Sequence, residues 1–321
     1  MRLLVTGGAG YIGSVVAAQL LEAGHQVVVL DDLSTGHADA VPSGAVLVRG
    51  TIRDAADVLA GGIDAVLHFA AKSLVGESVA QPGLYWSNNL GGTLALLEAM
   101  RVSGVRSIVF SSTAAVYGEP EHIPVTETDP ARPANPYGAS KAAADEILHE
   151  YARLHGLGGV SLRYFNVAGA YRAPDGGWLD ERHSPETHLI PTILQVARAG
   201  AEFKIFGDDY PTPDGTCVRD YIHVADLGRA HLLALGACAP GQHRVYNVGD
   251  GTGFSNREVL TMCREVTGAA IPAVTAPRRP GDPAVLVASS ARIHDELGWK
   301  PEQDLRTMVA DAWAAMRAAT G

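Results

Sequence analysis

Leu3-Leu4-Val5-Thr6-Gly7-Gly8-Ala9-Gly10-Tyr11-Ile12-Gly13 is a short apolar run that opens into a turn with glycine at 7, 10 and 13. The run reads as a buried strand and the following stretch, Ser14 to Ala23, as a helix. Strand, glycine turn and helix in that order form the head of a βαβ unit. The glycines let backbone approach a pyrophosphate, and the helix N-terminus adds amide donors and the positive end of its dipole. Gly7, Gly10, Tyr11, Ile12 and Gly13 are therefore candidate cofactor contacts. A second strand, Gln26 to Leu30, ends in Asp31-Asp32, near the place where an acidic residue takes a ribose diol. A carboxylate there repels a 2′-phosphate, so the pattern predicts NAD rather than NADP. Asp31 also suits a plain turn or capping role.

The same alternation continues. Val46-Leu47-Val48 is a third strand, and Arg53-Asp54 starts the next helix. Asp64 to Phe69 is a fourth strand opening into Ala70-Ala71-Lys72-Ser73, and one long helical stretch follows from Pro82 to Val102 with Asn88 and Asn89 inside it. Arg106 to Ser111 is a fifth strand and Gly159 to Tyr164 a sixth. Strands separated by helical patterns predict an α/β fold, a Rossmann-like doubly wound parallel sheet. After Asn166 the texture changes, because residues 170–186 are rich in Gly, Pro and charge. We expect an NAD-binding domain over 1–166, to which parts of 220–248 return, and a smaller mixed α/β substrate-binding lobe over 167–321. Helices at 188–199, 223–236, 255–267 and 304–318 alternate there with short strands near 204, 217, 245 and 286.

Composition narrows the function classes. Of 321 residues 47% are hydrophobic, which supports a sizeable folded core and not disorder. Net charge is −10 without a basic run, so nucleic acid is not an expected partner, and an anionic ligand must be met by local Arg residues and helix N-termini. Cys217, Cys238 and Cys263 are odd in number and lack metal-like spacing. They read as reduced thiols of a cytoplasmic protein, and no metal is expected. No leader precedes the first strand and no apolar run approaches the 18 residues of a membrane span, so no membrane is expected as a partner.

Chemistry gathers around Tyr137-Gly138-Ala139-Ser140-Lys141. Asn135-Pro136 reads as a helix cap and first turn, which sets Tyr137 and Lys141 four residues apart on one helix face. A phenol is a poor base at neutral pH, but a neighbouring ammonium favours the phenolate. The fifth strand delivers Ser111-Ser112-Thr113 to the carboxyl edge of the sheet, where open α/β sheets bind ligands. A solvated Tyr–Lys surface pair is the bland alternative, so the context carries the case.

That context resembles a known family. The glycine turn, His68-Phe69-Ala70-Ala71, Val75-Gly76-Glu77-Ser78, Ser111 to Gly118 and Tyr137 to Lys141 stand in the order of the extended short-chain dehydrogenase/reductases. Arg163-Tyr164-Phe165-Asn166, the run Phe206 to Thr212, the run Asp214 to Val224 and Ala276 to Asp282 are most similar to its 4-epimerases of UDP-hexoses. The resemblance implies interconversion of UDP-glucose and UDP-galactose through a 4-keto sugar, with NAD held through each turnover. It implies Tyr137 as base, Lys141 on the nicotinamide ribose, Thr113 on the 4-hydroxyl and Ser111 ordering that edge. Thr51, Ile52, Phe69, Ala70, Ala71, Asn88 and Tyr164 complete the implied cofactor contacts. Lys72, Asn166, His188, Leu189, Phe206, Arg219, Tyr221, Arg279, Asp282 and Leu286 are the implied contacts to the UDP-sugar. Arginine suits the diphosphate because its planar fork makes paired hydrogen bonds to phosphate oxygens, and one of Arg278 and Arg279 suffices. A homodimer joined through the 82–102 and 137–155 helices is implied as well.

Three positions depart from the family's pattern. Gly50-Thr51-Ile52 stands where an Asp contacts the adenine amine, and Ser73 stands where many relatives carry Lys, with Lys72 one residue earlier. Leu286 occupies the position that gates the C2 substituent, where a bulky Tyr is found, and so implies tolerance of N-acetylated sugars. A nucleotide-sugar 4,6-dehydratase needs an acid and a base directly after the Thr, and here those positions are Ala114-Ala115. A 4-epimerase of UDP-pentoses or UDP-glucuronate, or a non-catalytic NAD-binding regulator, shares the fold, since fold does not set function.

Overall fold

The computed structural model describes residues 1–279 and 281–319. Strands β1 (Arg2–Thr6), β2 (Gln26–Asp31), β3 (Val46–Arg49), β4 (Ala65–His68), β5 (Ser107–Thr113) and β6 (Gly158–Tyr164) alternate with helices α1 (Tyr11–Glu22), α2 (Ala55–Leu59), α3 (Val75–Ala80), α4 (Pro82–Tyr85), α5 (Gly91–Ser103) and α6 (Pro136–His155). Short strands then follow: β7 (Asn166–Ala168), the hairpin β8 (Tyr171–Arg172) with β9 (Trp178–Leu179), β10 (Phe203–Phe206), β11 (Val218–Arg219) and β12 (Tyr221–His223). They are interleaved with α7 (Leu189–Ala199) and α8 (Val224–Gly236). β13 (His243–Val248), β14 (Phe254–Ser255), α9 (Asn256–Thr267), β15 (Ala273–Ala276), β16 (Val285–Leu286), α10 (Ala291–Leu297) and α11 (Leu305–Ala318) complete the chain.

Seven strands form one parallel sheet in the order β13-β6-β5-β4-β1-β2-β3. The expected doubly wound sheet is therefore present, and β13 adds its outer edge beside β6. Chain order reverses at β1, so the crevice between the carboxyl ends of β1 and β4 is the switch point where such sheets take ligands. Apolar clusters cover both faces. Val5, Leu67, Leu162 and Tyr246 pack with α1 and α8 on one, and Leu4, Val66, Phe110 and Leu148 pack with α5 and α6 on the other. A third core, built from Ile193, Leu194, Phe203, Leu260, Cys263 and Met308, holds the second lobe. Its sheets have only two or three strands each.

Two expected elements differ. The helix placed at Ser14 begins at Tyr11, because only Gly7 to Gly10 turn while Gly13 already lies in the first turn. The long 82–102 helix is broken into α4, a π-turn over Trp86–Leu90, and α5. Tertiary bonds account for the break. Asn89 Nδ2 donates to the Lys72 carbonyl at 3.0 Å and to Ser140 Oγ at 3.1 Å, and Asn89 Oδ1 accepts from Lys72 N at 2.8 Å. Such insertions locally widen a helix, and they recur at functional sites.

Candidate active site

The glycine turn owes its shape to close approach. Gly7 has φ +72° and a Cβ there would lie 2.5 Å from Ala70 N; one at Gly13 would lie 2.3 Å from the Gly7 carbonyl oxygen. The β1–α1 turn thus packs its backbone directly on Phe69-Ala70, whose amides donate to the Thr6 carbonyl. Asp31 is 8% exposed and accepts from Ala9 N at 3.0 Å and Leu33 N at 2.8 Å. It therefore does the work of a turn aspartate while sitting at the end of β2, and a carboxylate has lone pairs left for a ribose diol. Asp32 is exposed and caps Ser34 N. Tyr11 carries the turn toward the second lobe by donating to the Gly169 carbonyl at 2.7 Å. Bare backbone at a helix N-terminus, a switch-point crevice and an aimed carboxylate fit a dinucleotide.

Other expected cofactor residues are less free. Thr51 caps a short 3₁₀ turn, with its amide and hydroxyl both donating to Asp54 Oδ2 at 2.7 and 2.8 Å. Ile52 abuts Gly92 of α5. Asn88 donates to the Asn89 side chain, and Asn89, which sequence reasoning did not single out as a site residue, is the buried one that clamps the Lys72 backbone. Two adjacent asparagines inside a helical pattern were the available signal.

The Tyr137 motif forms as its local chemistry dictates. Asn135 Oδ1 accepts from Gly138 N at 2.9 Å and Pro136 fills the first turn of α6. Gly138 is required there, since a Cβ would lie 2.4 Å from the Ala115 carbonyl oxygen. Lys141 shares a helix face with Tyr137 but bonds elsewhere than the phenol. Its buried Nζ donates to the Ser111 carbonyl at 2.7 Å and stands 4.7 Å above the Phe110 ring. Burial pulls the Lys141 ammonium down to about 8, with Asp145 acting against the fall. Burial raises the Tyr137 phenol above its usual value, and a hydrogen bond with Thr113 pulls it back. Thr113 Oγ1 accepts from Ala115 N at 3.1 Å, which leaves the hydroxyl proton available. Ser111 Oγ is hydrogen-bonded to the Tyr164 hydroxyl, tying β5 to the end of β6. Beneath them Ser112 and Arg163 both donate to Asp145, the pair Arg163–Asp145 closing at 3.0 Å with both side chains nearly buried.

Across the cleft, β11 brings Arg219 beside Leu286 of β16 and 3.6 Å from Asp282. The Arg279 guanidinium lies 4.1 Å over Phe206, whereas Arg278 is committed to Asp209 at 2.6 Å and to the Tyr210 ring. Asn166 donates to the Asp220 carbonyl at 3.0 Å. His188 caps α7 and Leu189 is its first residue. Tyr221 is buried in the core of the second lobe, which makes it a packing residue there. Asp220, which the sequence did not mark, is fully buried and takes the amides of Asp250, Gly251 and Ala288 at 2.8–3.0 Å. Burial nevertheless raises its carboxyl to about 6.

The model of the NAD dependent epimerase/dehydratase family matches residues 3–249. The chain belongs to that family. It is 56% identical over 318 residues to the UDP-glucose 4-epimerase of Corynebacterium glutamicum, covering 98% of this chain and 95% of that one. Among solved structures it is similar to a crystal structure of UDP-glucose 4-epimerase, with TM-score 0.94 and 46% identity over 100% of this chain and 98% of that one. It is likewise similar to UDP-glucose 4-epimerase from Brucella ovis in complex with NAD, with TM-score 0.91 and 42% identity over 98% and 97% of the two chains. The resemblance read from the motifs and the doubly wound fold are thereby borne out, and NAD is the cofactor of this epimerase/dehydratase family.

Proposed function

We propose that the chain interconverts UDP-glucose and UDP-galactose by inverting sugar C4 through a transient 4-keto sugar, with NAD held throughout. The observation that carries this reading is the Tyr137 phenol beside Thr113, at the same carboxyl edge of the sheet as the glycine turn. A carbinol carbon has no acidic hydrogen, so its inversion needs oxidation and re-reduction and not simple deprotonation. NAD, when bound, supplies the hydride acceptor and donor. Tyr137 Oη takes the 4-hydroxyl proton as the ketone forms and returns it as the alcohol is restored. Thr113 relays that proton through its hydroxyl, and the Ala115 N–H that donates to it keeps its oxygen in place. Lys141 contributes by position: anchored on the Ser111 carbonyl, it keeps a positive charge at the site below about pH 8.

The ketone must turn over to present its other face, so the sugar is held loosely and the nucleotide firmly. We assign that grip to Arg219 and Arg279, whose guanidiniums pair with diphosphate oxygens, with Asn166, His188, Leu189, Phe206 and Asp282 around them. Lys72 and Leu286 face the sugar in this reading. We also assign 1–166, with α8 and β13 from the 220–248 region, to NAD and the remaining chain to the UDP-sugar. Leu94, Val102 and Leu154 leave apolar surface exposed on α5 and α6, which supports a homodimer through these helices. Three unpaired cysteines support a reducing compartment such as the cytoplasm. No helix among the described residues is long and apolar enough to cross a membrane.

Incubation of the purified chain with UDP-galactose, without added NAD, tests the reaction. Chromatography should show UDP-glucose, and the same final mixture should form from UDP-glucose. Failure to convert either sugar, with NAD present and UDP-pentoses also tried, would leave the site a binding site alone.

A further inference from the structure

One group of metal-ligating side chains takes no part in the proton transfer above, although one member, His188, also borders the nucleotide grip assigned there. Glu181, His183, Glu186 and His188 place one ligand atom each within 4.8 Å of one another, all in the loop between β9 and α7. The two carboxylates are nearly buried, at 7% and 3% side-chain exposure. His188 Nδ1 lies 2.5 Å from Glu181 Oε1 and 3.4 Å from Glu186 Oε1, and His183 Nδ1 lies 3.0 Å from the same Glu181 oxygen. Both Nδ1 atoms are buried, and they meet the carboxylates as ion pairs that lie off the line of a well-aligned hydrogen bond. A hydrogen bond would aim the ring N–H at the oxygen. Here two ring nitrogens and two carboxylates instead crowd one point.

We propose that Glu181, His183, Glu186 and His188 form a binding site for one zinc-class divalent cation. Two imidazoles with two carboxylates are a donor set for Zn²⁺, whereas Mg²⁺ and Ca²⁺ prefer all-oxygen shells. Ligands about 2.0–2.2 Å from a tetrahedral Zn²⁺ stand roughly 3.3–3.6 Å apart, so the 3.4 Å His188–Glu186 pair fits as it stands, and the Glu181 pairs at 3.0 and 2.5 Å open to admit the ion. The charges also balance, since two carboxylates offset a doubly charged ion held by neutral imidazoles.

Four protein ligands make the site closed, and its work is structural. The ion ties the exit of β9 to the cap of α7. Asp180, Arg182 and His183 also line one cleft with Gly10, Tyr11 and His37, so ordering the loop steadies the second lobe against the glycine turn.

The test is metal content of the full chain, purified without a metal-affinity tag and passed through metal-free buffer. Elemental analysis should find about one zinc per chain, and cobalt exchange should give the visible absorption of a tetrahedral site. His183→Ala should weaken zinc binding by at least about tenfold while NAD content is kept. Glu181→Gln serves the same purpose if His183→Ala does not fold. The proposal is overturned if the wild-type chain neither carries zinc nor binds it on titration. It is equally overturned if Mg²⁺ or Ca²⁺ binds in preference, or if both variants keep zinc as the wild type does. None of these outcomes depends on epimerase activity.

Discussion

The two lobes solve their structural problems with different physics. The seven-stranded sheet is covered on both faces by mainly apolar clusters. Many of its polar groups are matched in place, as where His68 bonds Thr6 and Thr93 on either side of its ring. Burial drives its histidines toward the neutral form: His68 to about 3, His231 and His243 to about 4. The second lobe has strands of two to four residues and leans on charge, in Arg219–Asp282, Arg278–Asp209 and the Glu181–His188 loop. Its His188 is driven the other way. A rigid lobe suits chemistry that needs a fixed proton acceptor, and a charge-rich lobe with small sheets suits a grip on a charged nucleotide.

The sharpest break in this contrast is chemical. Tyr137→Phe should lower kcat about 10²- to 10⁴-fold while the fold, checked by circular dichroism, stays intact. Next comes the difference between a buried and an exposed ion pair. Asp145→Ala strands Arg163 in the interior and should cost about 3–5 kcal/mol in denaturant unfolding. Asp209→Ala removes an exposed partner of Arg278 and should cost at most about 1 kcal/mol. Equal losses would erase the distinction between the lobes.

Arg279→Ala should raise KM for UDP-galactose roughly 10- to 100-fold, the loss of about 1.5–3 kcal/mol expected for a charge-assisted bond, with bound NAD unchanged. An acid titration followed by near-UV circular dichroism reads the three neutral histidines. Their folded pKa values lie below the unfolded value of about 6.5, so the unfolded chain binds more protons on acidification. Stability is complete above about pH 6.5 and should fall as pH drops toward 4 and then 3. Stability that stays flat over that window would contradict their burial as neutral groups. The smallest effect concerns specificity: Leu286→Tyr should abolish conversion of UDP-N-acetylglucosamine and leave UDP-galactose turnover within a few-fold.

Wherever a local rule suffices, the chain was legible before the fold was known. Periodicity and turn chemistry located β1 to β6 and the four helices α7, α8, α9 and α11 to within a residue or three, and Asn135-Pro136 announced α6. Propensity alone missed the π-turn, because the bonds of Asn89 that break the helix reach residues 17 and 51 positions away. The short hairpin β8–β9 escaped for a similar reason, since two-residue strands carry no pattern.

By itself, then, the sequence determined the doubly wound fold and the glycine turn, and it set Tyr137 and Lys141 on one helix face and Thr113 at a strand end, because strand-helix alternation, glycine spacing and an i,i+4 pair are local along the chain. Only the tertiary structure decided where the Lys141 ammonium bonds. Its ammonium is taken by a carbonyl of β5, a strand 30 residues away in sequence that the parallel sheet places beneath α6. The same holds for the choice between Arg278 and Arg279, identical in sequence and separated only by an acid on a neighbouring loop. It holds too for Asp220, whose three amide donors come from segments that the fold alone brings together.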